Sequence, residues 1–295
     1  PEGYDEWTHE TAGPGNTFAN SDQLVKGPLG LLWFSGTIDR FYTPEFHFQH
    51  FRTAYPLVSN GRMFLIGGKY MNAVDIYTGS FLWQIEMPMT QRVQWRYQGS
   101  RVDSRPYERN YVATPDTLYI IYEEEIHLIA TVDGSKVGVF TIPKELAPED
   151  GSAIWTEVRL IGDHLCCVIG DTLVCLDRKS GHVLWQRKST SASTAYALAD
   201  GALFGIDYTA PRDVYRGETK PRKESVLFRL DLASGREAWS KSLEHATIPE
   251  QNPQQKRPWL LPIAPVVIYN TKHEKVIVVV NRKTYYAFEA ADGRK

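Results

Sequence analysis

An all-β chain built from repeated four-stranded antiparallel blades is the fold class that the sequence predicts, and three observations carry it. A short motif recurs in register. Its copies are spaced at nearly constant steps. Each copy is preceded by short strand-like runs, and no long helical pattern competes with them.

The motif is clearest in "DIYTGSFLW" (75–83), "DRKSGHVLW" (177–185) and "DLASGREAW" (231–239). Asp75, Gly79 and Trp83 align with Asp177, Gly181 and Trp185, and with Asp231, Gly235 and Trp239. Two decayed copies fit the same frame. In "ATVDGSKVG" (130–138) Ala130 replaces the Asp and Gly138 the Trp. In "EAADGRK" (289–295) Glu289 replaces the Asp, and the chain stops before the Trp is due. The motif glycines 79, 134, 181, 235 and 293 follow at steps of 55, 47, 54 and 58 residues. A unit of this size with strands inside each copy predicts a β-propeller with five blades visible.

The strands come in pairs before each motif. "RMFLIGG" and "YMNAVDIY" precede the first, "LYIIYEE" and "IHLIATV" the second, and "HLCCVIG" and "TLVCLDR" the third. "ALFGID" with "VLFRLDL" and "KVIVVVN" with "TYYAFEA" complete the series. These β-branched and aromatic runs, broken by Gly, Asn or Asp, read as antiparallel hairpins. "IPKELAPEDGSAIW" (142–155) has room for one helical turn, which Pro148 would end.

Each motif position has a structural reading. The Asp accepts backbone N–H bonds in the turn, and the Gly takes a positive φ. The Trp opens the outer strand and lies against the neighbouring blade, where burial is worth roughly 25 cal/mol per Å² of apolar area.

Composition bounds the function. The 295 residues are 42% hydrophobic with a formal net charge of -2, and neither half is strongly basic. Nonspecific nucleic-acid binding and attraction to anionic membranes are disfavoured. No apolar run approaches the roughly 18 residues of a membrane-spanning helix, and the start at Pro1 does not resemble a signal peptide. Three cysteines exclude a dense disulfide framework.

The motif resembles the tryptophan-docking repeat of the pyrroloquinoline-quinone (PQQ) type β-propellers. That family includes quinoprotein alcohol dehydrogenases, the outer-membrane assembly lipoprotein BamB and uncharacterised bacterial propellers. The resemblance covers residues 55–295, with 1–54 as a lead-in and closing-strand region. It implies a ring of about seven or eight blades, of which this chain would be a part, and an extracytoplasmic, periplasmic location. Alternatively, "LGLLWFSG" (29–36) supplies the missing outer strand of the last blade and closes the ring.

The family's dehydrogenases hold PQQ and Ca²⁺ over the propeller axis, with a catalytic Asp and a vicinal disulfide against the cofactor. Cys166-Cys167 are adjacent here, but "HLCCVIG" reads as strand interior, where neighbours face opposite sides and a bond between them needs a distorted peptide. They are either a quinone-contacting pair or small strand residues. A cross-strand pair of Cys167 with Cys175 is a third option. "PEFHFQHFR" (44–52) is the other candidate. As a helical turn it sets His47 and His50 on one face for a metal, and as a strand it separates them; one of the two, with Arg52, is a candidate to line the central channel. No CxxCH, nucleophile-elbow or HExxH pattern occurs, and "GPGNT" (13–17) lacks the context of a phosphate loop.

Two insertions, 208–225 and 245–262, read as rim loops for binding or as solvated connections. With the docking motif kept and no catalytic constellation found, the expected function is a non-catalytic binding or scaffolding propeller without a cofactor. Its partners would be proteins or further domains of its own chain. The alternative is a PQQ- and Ca²⁺-dependent oxidoreductase.

Overall fold

The computed structural model describes residues 2–25, 27–28, 30–33, 55–66, 70–86, 111–122, 124–147, 155–190, 193–208, 225–243, 266–280 and 284–295. Every regular element among them is a β-strand. The first sheet runs β1 (Leu57–Ser59), β2 (Arg62–Ile66), β3 (Tyr70–Asp75) and β4 (Phe81–Glu86). The second runs β5 (Tyr111–Ala113), β6 (Thr117–Tyr122), β7 (Glu125–Ala130) and β8 (Lys136–Thr141). The third contains β9 (Trp155–Ile161), β10 (His164–Ile169), β11 (Thr172–Asp177) and β12 (Val183–Lys188). The fourth contains β13 (Ser193–Ala199), β14 (Ala202–Tyr208), β15 (Ser225–Asp231) and β16 (Glu237–Leu243). The fifth has β17 (Val266–Asn270), β18 (Lys275–Val280) and β19 (Thr284–Glu289). Each sheet is an antiparallel meander in sequence order, which is the propeller blade that the repeat predicts.

Turn chemistry sets the register. Asn60-Gly61 joins β1 to β2 with both φ angles positive (48° and 72°), the requirement of a tight two-residue hairpin turn. Gly170-Asp171 closes the hairpin between Ile169 and Thr172, which are directly paired, with the positive φ at Gly170 alone. A second device recurs in the outer hairpins. The register shifts by a bulge between Ala73 and Val74, Leu128 and Ile129, Cys175 and Leu176, and Arg229 and Leu230. The residue just before each bulge pairs with Trp83, Gly138, Trp185 or Trp239, so the added twist falls at the docking position.

Burial ranks the strands. β5 and β14 are buried throughout, whereas β4 and β12 bury only Trp83 and Trp185. First strands of neighbouring blades approach one another, β1 with β5 and β13 with β17, which makes them the inner strands. Between Pro143 and Ala147 the chain makes one turn, with the Ala147 N–H donating to the Pro143 carbonyl at 3.1 Å, as the sequence allowed.

The chain divides into two compact units, residues 1–13 with 18–159 and residues 14–17 with 160–295. In the first unit the core lies between blades and joins Leu57, Phe64, Met71 and Trp83 to Tyr111, Leu118 and Ile129. The second unit has two such cores. One packs Cys166, Leu173 and Trp185 against Tyr196, Leu203 and Phe228. The other packs Phe204, Leu227 and Trp239 against Val267, Val276 and Phe288. The division falls within β9, the strand after the blade whose outer strand carries Gly138 in place of Trp.

Candidate functional site

Where the motif keeps its Trp, its residues form a latch from one blade to the next. The Trp83 Nε1–H donates to the Thr131 carbonyl at 3.0 Å, Trp185 to Leu232 at 2.7 Å and Trp239 to Ala290 at 3.1 Å. Each acceptor is the residue after the first motif position of the following blade. The indole lies on that blade's motif glycine. A Cβ built on Gly134 would stand 2.8 Å from the Trp83 ring, one on Gly235 2.6 Å from Trp185 and one on Gly293 3.0 Å from Trp239. These glycines are therefore required twice, by φ values of 75°, 68° and 69° and by the ring above them. Trp33 makes the same latch onto Gly79, with its Nε1–H bonded to the Ile76 carbonyl at 2.7 Å. This tryptophan belongs to "LGLLWFSG", whose residues 29 and 34–36 lie outside the described residues.

The motif carboxylates close the turns. Asp75 Oδ1 accepts the Tyr77 and Thr78 N–H groups and the Thr78 hydroxyl, at 2.8–3.0 Å. Asp177 binds the Lys179 N–H and the Ser180 N–H and hydroxyl, and Asp231 binds both groups of Ser234. The hydroxyl bonds of Thr78, Ser180 and Ser234, followed by the backbone bonds, hold these carboxyls below the usual range. In the decayed copies the backbone turn survives, since the Gly134 and Gly293 N–H groups still bond the Ala130 and Glu289 carbonyls. Asp133 and Asp292 take over as acceptors for Ser135 and Arg294.

The N-terminal lead-in binds the inner strands. In the first unit Trp7 and Val58 of β1 exchange both backbone bonds, at 3.1 and 2.7 Å, and the Ala113 N–H of β5 donates to Thr8. Buried Arg159 of β9 reaches the Thr11 hydroxyl. In the second unit the Leu198 N–H of β13 donates to the Pro14 carbonyl, and Tyr269 of β17 to Gly15. Asn16 is buried, and its Nδ2 donates to the Tyr196 and Val267 carbonyls at 2.9 and 2.7 Å. Gly15 permits this approach, because a Cβ there would stand 3.1 Å from the Tyr269 carbonyl oxygen. Residues 7–16 thus satisfy inner-edge backbone groups on β1, β5, β13 and β17.

A buried ionic node lies in the second unit. Asp207, fully buried in β14, pairs with Arg187 of β12 at 3.0 Å. It also accepts the Ser189 and Thr194 hydroxyls and both the N–H and hydroxyl of Thr190, at 2.6–3.1 Å. The guanidinium stacks 3.6 Å above the Phe228 ring. Desolvation pushes the Asp207 carboxyl up, but Arg187 and the hydroxyl and N–H donors outweigh it, so the group rests below its ordinary value.

Cys166 and Cys167 lie inside β10, fully buried, and with Cys175 carry free thiols. His47, His50 and Arg52 lie outside the described residues, as do 209–224 of the first insertion and the whole of the second, 245–262. Among the described residues no group of three or more His, Cys, Asp or Glu side chains is placed to hold a metal ion. None of their elements is a helix long and apolar enough to cross a membrane. Sequence reading missed Asn16, Pro14 and Gly15, whose role rests on backbone groups. It also missed Asp207, although an Asp inside the apolar run "ALFGID" is a visible signal.

Meandering blades and Trp–Gly latches define a β-propeller of the PQQ-repeat class. The chain belongs to the family described as outer membrane protein assembly factor BamB, whose pattern matches residues 43–241. No curated protein sequence matches it. Among solved structures, the chain is similar to the quinohemoprotein alcohol dehydrogenase from Comamonas testosteroni, at 11% identity and a TM-score of 0.58, covering 98% of this chain and 48% of that one. A europium-containing methanol dehydrogenase matches at 10% identity and a TM-score of 0.53, covering 98% and 57%. BamB from Moraxella catarrhalis matches at 13% identity and a TM-score of 0.44, covering 81% and 61%. The chain spans less than two thirds of each of these proteins, and at such identities the likeness is one of fold.

Proposed function

We propose that this chain is a non-catalytic binding or scaffolding propeller that works within a larger protein or complex outside the cytoplasm. One observation carries the reading: in each unit the lead-in bonds the inner strands, residues 7–8 to β1 and β5 in the first and 14–16 to β13 and β17 in the second. Inner-edge groups of Val58, Ala113, Tyr196, Leu198, Val267 and Tyr269 are thereby engaged by the chain's own peptide. Protein contact is the chemistry that the surface offers. Leu31, Leu32, Tyr77, Leu82, Val132 and Val137 of the first unit are all large apolar side chains at least 42% exposed. Tyr77, Leu82 and Val132 line one surface hollow together with Arg62 and Asp75. Apolar residues rimmed by charges are typical of protein-binding surfaces.

The test uses PQQ and Ca²⁺ added to the protein, read by quinone absorption and dye-linked alcohol oxidation. The proposal expects neither saturable binding nor turnover. Stoichiometric PQQ binding with turnover would overturn it in favour of a quinoprotein oxidoreductase.

A further inference from the structure

We propose that Cys166 and Cys175 form a cross-strand disulfide that staples the third blade when the chain folds under oxidising conditions. The register of β10 and β11 sets Cys166 directly opposite Cys175, whereas Cys167 opposes Val174. Directly opposed residues of an antiparallel pair stand about 4.5 or 5.5 Å apart at Cα, and both values lie within the roughly 4.4–6.8 Å that a disulfide spans. Their side chains share one face, since both belong to the core with Val168, Leu173 and Trp185. The Gly170-Asp171 turn and the pairing on either side of it fix this register. Cys167 points to the opposite face and is not a partner for its neighbour.

Burial decides when the bond forms. Both cysteines are completely inaccessible in the folded blade, and desolvation pushes the Cys166 thiol well up, which suppresses the thiolate. Oxidation therefore precedes closure of the sheet. One protein thiolate attacks a small-molecule disulfide such as oxidised glutathione and releases one thiol. The second protein thiol loses its proton and attacks the mixed disulfide, which releases the second thiol. Two protein thiols become one disulfide, and the oxidant's disulfide becomes two thiols.

The experiment refolds the reduced protein in a glutathione redox buffer, quenches with acid, and alkylates the chain after denaturation. Peptide mapping should find a Cys166–Cys175 link, a mass lower by two hydrogens, and Cys167 as the alkylated residue among the three. Cys167→Ser should keep the link and Cys175→Ser abolish it. Three alkylated cysteines in folded wild-type protein would overturn the proposal. So would a link that uses Cys167.

Discussion

At the scale of single residues, the indole of Trp185 fills the space above Gly235, and its N–H satisfies the Leu232 carbonyl. Trp185→Ala leaves a cavity and an unsatisfied acceptor, so it should destabilise the chain by about 3–5 kcal/mol. Gly235→Ala attacks the same latch from below through a φ of 68° and the ring contact, and should cost roughly 2–4 kcal/mol. Urea titrations of both variants check this, and losses under about 1 kcal/mol would contradict the latch. Asp207 makes a second prediction. Its folded carboxyl lies below the ordinary value, so its contribution is present above the unfolded value near 3.9 and is lost as pH falls through the lower folded value. Asp207→Ala leaves the partly buried Arg187 without its partner and the Thr190 and Thr194 donors without their acceptor, and should cost about 2–4 kcal/mol at neutral pH. Asp207→Asn should flatten the acid side of the stability–pH curve. An unchanged acid limb would contradict the role given to this ion pair.

At the scale of elements, the blades were legible because three well-kept motif copies fall in register and carry turn residues with a fixed conformational demand. What each Trp touches was not legible, because its carbonyl acceptor and its glycine lie 43 to 54 residues away in the following blade. The bonding of the lead-in leaves no mark in the sequence, since its work is done by carbonyls and N–H groups that leave no pattern of side chains. Asn16 is the exception: a side-chain amide that bridges Tyr196 of β13 and Val267 of β17. Asn16→Ala should cost about 1–3 kcal/mol, the penalty of leaving buried carbonyls unsatisfied. Asn16→Asp should cost more, because a carboxylate cannot donate to them. Equal stability of Asn16→Ala and wild type in chemical denaturation would show that the bridge is dispensable.

At the scale of the molecule, the repeat specifies a propeller but not its task, because the docking motif serves the packing between blades and reports nothing about the axis. The family and the fold agree with the sequence reading, and the inner-edge segment adds what the repeat could not show. The most direct measurement is hydrogen exchange at the amides of Val58, Ala113, Leu198 and Tyr269, each bonded to a carbonyl of residues 7–15. The account predicts strong protection in the intact chain, and loss of it at these amides when residues 1–17 are removed while the β6 and β14 amides stay protected. Rapid exchange at all four amides in the intact chain would contradict it.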